Sequence, residues 1–362
     1  MKIGLAGLPM SGKTTVFNLC TRLQAQTRDY LAQSEEVNTG VIKVPDERID
    51  HLVSVYKPKS TVYATVEFVD IPGVSKGDAG LSSKTLANIR VCESLGLVVR
   101  LFDSDDVPHI RNRVDPASDI DELRLEFIFS DLGIVQNKIE RLQREMKGTK
   151  KPIQIKEMEL MEKCKTALEA NRFLSELTFD TDEEALLKGF RFLTQKPLLV
   201  IGNCSDAQLK NAAHPVVVAF QKACADGKLS SMLISAKTEM EISSLSPEEE
   251  ATFLQEYGIT ESGRSRLIKQ AYGILNYISF LTAGEDECRA WPIQRGTIAL
   301  KAAGKIHSDI ERGFIRAEVV AFDDFVAHKG MAGAKAAGLI RLEGKEYPVA
   351  DGDIINFRFN VG

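Results

Sequence analysis

The chain has 362 residues, of which 44% are hydrophobic and 27% charged, and its formal net charge is −5. This length predicts two or three domains, and the composition is that of an ordinary globular protein. The negative charge excludes a global basic surface for nucleic acid, so any RNA contact must come from a local patch. No apolar stretch has membrane-spanning length, and the six cysteines lack zinc-site spacing. We therefore expect a soluble cytoplasmic protein with reduced thiols and no membrane partner.

The first motif in chain order has the pattern of a phosphate-binding loop. An apolar run at 3–6 precedes Gly7-Leu8-Pro9-Met10-Ser11-Gly12-Lys13-Thr14, and a helical stretch follows. In this context the backbone N–H groups wrap around phosphate oxygens. Lys13 would act in catalysis by neutralising the β- and γ-phosphates, and the Thr14 hydroxyl would bind Mg²⁺. The nucleotide-binding residues predicted here are Pro9, Met10, Ser11, Gly12, Lys13, Thr14 and Thr15.

A second motif closes the strand predicted over 62–70, where Asp70-Ile71-Pro72-Gly73 follows the apolar run. An aspartate at this strand end would hold Mg²⁺ directly or through water. The N–H of Gly73 would contact the γ-phosphate, so we assign it a catalytic role. An ordinary strand-end turn is the alternative, and the preceding phosphate-binding loop favours the functional interpretation.

From about residue 119 the apolar pattern changes to helical spacing. Residues at intervals of three and four predict a helix with one apolar seam: Leu125, Ile128, Leu132, Val135, Ile139, Leu142 and Met146. Gly148 and Pro152 interrupt it, and a second helix is predicted over about 155–174. We predict an antiparallel helical hairpin, which either packs only against this chain or also binds a protein partner.

Two further motifs follow apparent strands in the second half of the chain. The strand predicted at 197–202 leads into Asn203-Cys204-Ser205-Asp206, and the strand at 232–234 leads into Ser235-Ala236-Lys237. GTPases read guanine with Asn-Lys-x-Asp at this place, and here Cys204 replaces the lysine. Each motif is weak alone, but four in order after strands predict one nucleotide site. The residues predicted to contact the base are Asn203, Asp206, Ser235, Ala236 and Lys237.

The last part of the chain changes to short strand signals broken by glycines. Strands are predicted at 316–320, 344–349 and 354–359, with a helix at 322–329. We therefore predict an α/β fold: a P-loop G domain with a mostly parallel sheet, an antiparallel helical-hairpin insertion, and a C-terminal α+β domain. The predicted boundaries are 1–117 and 191–278 for the G domain, 118–190 for the insertion and 279–362 for the C-terminal domain.

This order of motifs resembles the YchF subfamily of Obg-like NTPases. The resemblance extends over essentially the whole chain, including NTGVIKVPDERIDHL (38–52), SKTLANIR (83–90), LTAGEDECRAW (281–291) and LEGKEYPVADGDIINFRFNV (342–361). It implies a C-terminal β-grasp domain of the TGS type, nucleotide hydrolysis, a frequent preference for ATP, and association with ribosomes or RNA. By the same resemblance Ser34 takes the place of the switch-I threonine, whose hydroxyl would approach Mg²⁺.

The chain departs from this family in its base-reading motif, whereas at Val74 the family likewise has an apolar residue. The family carries Asn-x-x-Glu, whereas Asp206 restores the carboxylate of a guanine reader, so the choice between ATP and GTP stays open. Val74 stands where Ras-like enzymes carry a glutamine that orients water, which predicts slow turnover. We expect an Mg²⁺-dependent NTPase that acts as a slow switch at the ribosome. A nucleotide-binding scaffold with little hydrolysis is the alternative, and a metabolic P-loop kinase is disfavoured because no arginine-rich lid is evident.

Overall fold

The computed structural model describes residues 1–23, 37–72, 83–104, 107, 109, 113–148, 151–246, 249–250, 252 and 261–360. The chain divides into two compact units, one made of 1–40 and 67–267 and the other of 41–66 and 268–362. Residues 41–66 therefore group with the C-terminal part of the chain, which the motif order did not indicate. Among the described residues, no helix is long and apolar enough to cross a membrane.

The strands are β1 (Lys2–Ala6), β2 (Asn38–Lys43), β3 (Ser60–Val62), β4 (Thr65–Asp70), β5 (Ser94–Arg100), β6 (Leu198–Asn203), β7 (Ser230–Ile234), β8 (Tyr277–Ala283), β9 (Glu287–Gln294), β10 (Phe314–Ala321), β11 (Arg341–Glu343) and β12 (Asp353–Phe359). The helices are α1 (Lys13–Thr21), α2 (Glu47–Tyr56), α3 (Ser83–Arg90), α4 (Pro116–Glu145), α5 (Pro152–Glu169), α6 (Thr181–Leu187), α7 (Asp206–Leu209), α8 (Pro215–Asp226), α9 (Ala236–Ser243), α10 (Gly263–Ile274), α11 (Ala299–Ile306), α12 (Ser308–Arg312), α13 (Phe322–Ala327) and α14 (Met331–Ala336).

The sheet of the first unit has the order β2-β4-β1-β5-β6-β7 and is parallel from β4 to β7. Every residue of β5 and β6 is buried, because both faces of the sheet are covered. This explains why SLGLVVR and LLVIGN are nearly continuous apolar runs rather than alternating ones. The mostly parallel α/β fold predicted from the sequence is confirmed.

The edge of this sheet where the parallel strands end positions the functional loops. The chain leaves β1 between two neighbours, β4 and β5, which lie on opposite sides of it. Such a point, where the strand order reverses, leaves a crevice at the carboxyl ends of the strands, and ligands bind there in open α/β sheets.

The predicted helical insertion is α4 and α5, which pack against each other. Asp115 caps α4, its side chain accepting from the Ser118 N–H at 3.2 Å, and Pro116 occupies the first turn. The predicted seam is mostly buried, but Leu125 is 37% exposed, and the neighbouring Leu123 and Phe127 are buried instead. The buried face at this end of α4 therefore differs from the predicted seam, because this end packs into the same core as β5 and β6.

The second unit contains a sheet of order β11-β10-β12-β8-β9-β3. β10 and β12, like β8 and β9, pair antiparallel, and α11 contributes Ala299, Ala302 and Ala303 to the core beside them. β3 pairs in parallel with β9, in register from Ser60 opposite Glu287. The C-terminal α+β domain is thus confirmed as a β-rich unit.

Two strand predictions are wrong in detail. Residues 62–70 do not form one strand, since β3 pairs with β9 while β4 pairs with β1 in the other sheet. Residues 344–349 form no strand, because their carbonyl groups accept hydrogen bonds from the start of α11. The Ala299 N–H donates to the Tyr347 carbonyl at 2.8 Å, and the Leu300 N–H to that of Lys345 at 3.1 Å.

Candidate nucleotide-binding site

Residues 7–14, which we call the phosphate loop, connect β1 to α1. Met10 and Gly12 have φ values of 63° and 91°, in the left-handed region, and Lys13 is the first residue of α1. The Lys13 side chain is buried, and its ammonium group donates to the carbonyls of Gly7 and Leu8 at 3.0 and 2.8 Å. These bonds hold a positive charge within the loop, where a helix N-terminus also favours an anion.

Both glycines of this loop are required by close contacts as well as by backbone conformation. A Cβ on Gly12 would lie 2.2 Å from Asn203 Nδ2, and one on Gly7 would lie 2.4 Å from the Val98 carbonyl oxygen. The adjacent Ser11 hydroxyl is buried and has no hydrogen-bond partner within the described part of the chain. The loop therefore packs against β5 and β6 with little space for larger residues.

The predicted magnesium ligands Thr14 and Asp70 lie together at the sheet edge. The Thr14 hydroxyl donates to Asp70 Oδ2 at 3.0 Å, which joins the start of α1 to the end of β4. Hydroxyl and carboxylate oxygens suit Mg²⁺, which commonly takes one or two protein ligands and completes its shell with phosphate and water. In the described ranges, no group of three or more His, Cys, Asp or Glu side chains forms a metal centre. The residues present therefore fit an Mg²⁺ ion held mainly by a nucleotide.

Asn203, at the end of β6, is a bridge between two loops. Its Nδ2 donates to the Ser11 carbonyl at 3.1 Å, and its Oδ1 accepts from the Ala236 N–H at 3.2 Å. Its amide thus contacts the phosphate loop and the Ser-Ala-Lys loop (235–237). Its predicted contact with a base stays a prediction, and in the structure both polar atoms of its amide bond to backbone.

The other predicted base-site residues surround this bridge. Ser235 is buried and its hydroxyl donates to Thr238 Oγ1 at 3.1 Å, while Lys237 is exposed. Asp206 is half-buried at the first position of α7, and its carboxylate has no partner among the residues described. Cys204 is buried, which raises the pKa of its thiol to about 11. The carboxylate can therefore accept hydrogen bonds, whereas the thiol stays protonated.

Gln208 is a site residue that the sequence interpretation missed. Its Oε1 accepts from the Ser205 N–H at 2.9 Å, and its Nε2 donates to the Leu101 carbonyl at 2.7 Å. These bonds fix the short helix that carries Asp206 against the end of β5. The pattern of Ser followed by Gln three residues later, a capping box, is the signal that would have found it.

Three predicted positions lie outside the described residues. They are Gly73 and Val74 in the segment after Asp70, and Ser34 in the segment before β2. Pro9 and Thr15 are partly exposed in the phosphate loop and the first turn of α1. The remaining predicted residues meet at one sheet edge, joined by the hydrogen bonds of Thr14 and Asn203.

Comparisons with known proteins show which family the chain resembles. The model MMR_HSR1, described as 50S ribosome-binding GTPase, matches residues 2–155, and YchF-GTPase_C, described as a protein of unknown function, matches residues 277–360. Among the relatives that carry the name Ribosome-binding ATPase YchF, that of Pasteurella multocida is 42% identical and that of Bacillus subtilis 41% identical, each over 99% of both chains. The structure of the Schizosaccharomyces pombe YchF GTPase matches with a TM-score of 0.86 and 28% identity, covering 99% of this chain and 97% of that one. With this identity along both chains and a P-loop GTPase fold, the chain belongs to the YchF family.

Proposed function

We propose that this chain binds a purine nucleoside triphosphate with Mg²⁺, hydrolyses it slowly and acts as a switch at the ribosome. The observation that carries the proposal is the hydrogen-bonded edge of the first sheet. There the Thr14 hydroxyl bonds to Asp70, and Asn203 joins the phosphate loop to the Ser-Ala-Lys loop. These bonds place a lysine-bearing loop, a hydroxyl–carboxylate pair and the Ser-Ala-Lys loop at the crevice where ligands bind in open α/β sheets.

In the proposed mechanism the chain positions charge rather than forming covalent bonds to substrate. The ammonium group of Lys13 and the N–H groups at the start of α1 neutralise the β- and γ-phosphates. Thr14 and Asp70 would hold the Mg²⁺ ion, which supplies charge stabilisation at the phosphates. Gly73 N–H, from a segment outside the described residues, is assigned to the γ-phosphate, and Ser34 to the ion.

Slow intrinsic turnover follows from what stands after the Asp-x-x-Gly motif. Val74 has no hydrogen-bonding group with which to orient the attacking water. We propose that a partner supplies or orders the missing group. The relatives named Ribosome-binding ATPase, and the match to a 50S ribosome-binding GTPase model, support the ribosome as that partner and the cytoplasm as the place of action.

Which purine base the site selects is a separate question, because one observation supports adenine and another supports guanine. The relatives' name supports ATP. The Asp206 carboxylate supports guanine, because it can accept hydrogen bonds from the N1–H and the exocyclic amine of that base. Calorimetric titration with ATP and GTP, each with magnesium, decides between them. The titration is repeated on Asp206→Glu, which keeps the charge and lengthens the side chain. An ATP:GTP affinity ratio that is the same in both proteins would refute a role for Asp206 in base selection.

Single-turnover hydrolysis with and without ribosomes tests the switch. The proposal predicts phosphate release without any small-molecule acceptor, and a faster rate when ribosomes are added. Release that required an acceptor would support a kinase instead. Tight nucleotide binding with no hydrolysis, even with ribosomes, would support the scaffold and refute the switch.

A further inference from the structure

Two helices carry the loops of the proposed site, and a short distant segment ties them together. α1 begins in the phosphate loop, and α9 begins in the Ser-Ala-Lys loop. The start of α10, at Gly263 and Arg264, hydrogen-bonds to both of these helices. None of these contacts touches the edge where a nucleotide would bind.

Arg264 binds the last turn of α1, at the end opposite the phosphate loop. Its Nε donates to the Leu19 and Cys20 carbonyls at 2.9 and 3.2 Å, and its Nη2 donates to the Cys20 carbonyl at 3.0 Å. Carbonyls at a helix C-terminus have no partner within the helix and carry partial negative charge. The guanidinium therefore supplies both hydrogen bonds and a complementary charge, which compensates for its partial burial.

Glu239, in the first turn of α9, binds the start of α10. Its Oε1 accepts from the Gly263 N–H at 2.8 Å, and its Oε2 accepts from the Arg264 N–H at 3.2 Å. A Cβ on Gly263 would lie 2.5 Å from Glu239 Oε1, so a larger residue would displace the carboxylate. Adjacent residues thus connect α9 through their backbone and α1 through the Arg264 side chain.

We propose that Glu239, Gly263 and Arg264 form a rear clamp, a set of positioning residues that fixes the spacing between α1 and α9. The inference rests on the proposed function, since the clamp matters only if one nucleotide spans both loops. A ligand that binds two preorganised loops gains affinity because the second contact costs little further ordering. Without the clamp, the phosphate loop and the Ser-Ala-Lys loop keep their own residues but lose part of their fixed separation.

The test compares a ligand that spans both loops with one that does not. Mg²⁺ complexes of ATP and GTP, and of inorganic tripolyphosphate, are titrated into the parent, Arg264→Gln and Glu239→Gln. Tripolyphosphate reaches only the phosphate loop, so its affinity should change less than about twofold, whereas nucleotide affinity should fall about tenfold. Both side chains belong to one connection between α1 and α9, so breaking either one breaks it. The double variant should therefore lose no more nucleotide affinity than whichever single variant binds nucleotide more weakly.

Arg22→Gln is the matched control. It removes one positive charge at the same end of α1, where the partly exposed Arg22 pairs with Glu250 at 3.2 Å. Its nucleotide affinity should equal that of the parent. If Arg264→Gln does not fold, Arg264→Lys keeps the charge and one donor group and should show a smaller loss for nucleotide only.

The outcomes separate this inference from the proposed function. Equal losses for nucleotide and tripolyphosphate would overturn the clamp, because they would show that Arg264 only stabilises α1. Unchanged affinity for both ligands would also overturn it. A parent protein that binds neither ligand would refute the proposed function itself, and the clamp with it.

Discussion

Replacing Asn203 removes the two hydrogen bonds through which one buried side chain joins the phosphate loop to the Ser-Ala-Lys loop. In the parent, the Asn203 amide lies 3.1 Å from the Ser11 carbonyl oxygen and 3.2 Å from the Ala236 nitrogen. In Asn203→Ala, both backbone groups lose this partner. Each buried backbone group left unsatisfied costs about 1–3 kcal/mol, so for the two groups together we expect the free energy of unfolding to fall by about 2–6 kcal/mol. Nucleotide affinity should fall as well, by about tenfold or more, because the two loops are no longer joined at this edge.

Asn203→Asp sharpens the test because it changes only one of the two bonds. The carboxylate still accepts from the Ala236 N–H, but its second oxygen faces the Ser11 carbonyl oxygen, and a charge is buried. This variant should be at least as destabilised as Asn203→Ala.

Urea unfolding and calorimetric titration measure the two effects, with Asn211→Ala as the control at an exposed asparagine. The reasoning is refuted if Asn203→Ala unfolds within about 0.5 kcal/mol of the parent and binds nucleotide equally well.

Three further predictions concern separate parts of the first unit. Gly12→Ala should abolish measurable nucleotide binding in the same titration, because its Cβ would lie 2.2 Å from Asn203 Nδ2. Gly133→Ala is the control, because its Cβ would meet nothing within 4 Å. It should bind nucleotide normally, and its free energy of unfolding should rise by about 1 kcal/mol because alanine favours the helix α4. Normal binding by Gly12→Ala would contradict the described packing. Burial raises the pKa of the Cys204 thiol to about 11, so this thiol should resist a thiol reagent at about pH 8 until the protein unfolds. The labelling is measured by absorbance, and rapid labelling of Cys204 in the native protein would contradict this prediction. Burial also raises the pKa of Asp131, although Arg90 pairs with it at 2.9 Å. The native state therefore holds this proton more tightly than the unfolded state, and the resulting stabilisation is lost as the pH rises through the native pKa. The free energies of unfolding of the parent and of Asp131→Asn are compared between about pH 4 and pH 7. The difference in favour of the parent should become smaller as the pH rises, and a difference that becomes larger would contradict the raised pKa of Asp131.

The sequence predicted best what is local. The phosphate loop, Asp70 and the two motifs of the second half each follow a strand. Their meeting could be predicted because parallel strands end at the same edge of a sheet. The helical spacing of α4 likewise found four of its buried residues, Ile128, Val135, Ile139 and Leu142, since the seam depends on residues within two turns of one another.

What could not be predicted depends on partners distant in sequence. Residues 62–70 have one continuous strand pattern, yet β3 pairs with β9, more than 220 residues later, and β4 pairs with β1. No local pattern specifies which sheet an edge segment joins. Arg264 is a similar case, because an arginine at the start of a helix gives no sign that its guanidinium binds carbonyls of Leu19 and Cys20.

The central claim is that the phosphate loop encloses a triphosphate, and Lys13→Ala tests it most directly. Calorimetric titration of the parent and this variant with Mg²⁺-ATP and Mg²⁺-GTP should show that the parent binds at least one nucleotide. The variant should bind it about a hundredfold more weakly, as expected when hydrogen bonds from a charged group worth about 2–3 kcal/mol are lost. Equal affinity in the two proteins would contradict the account.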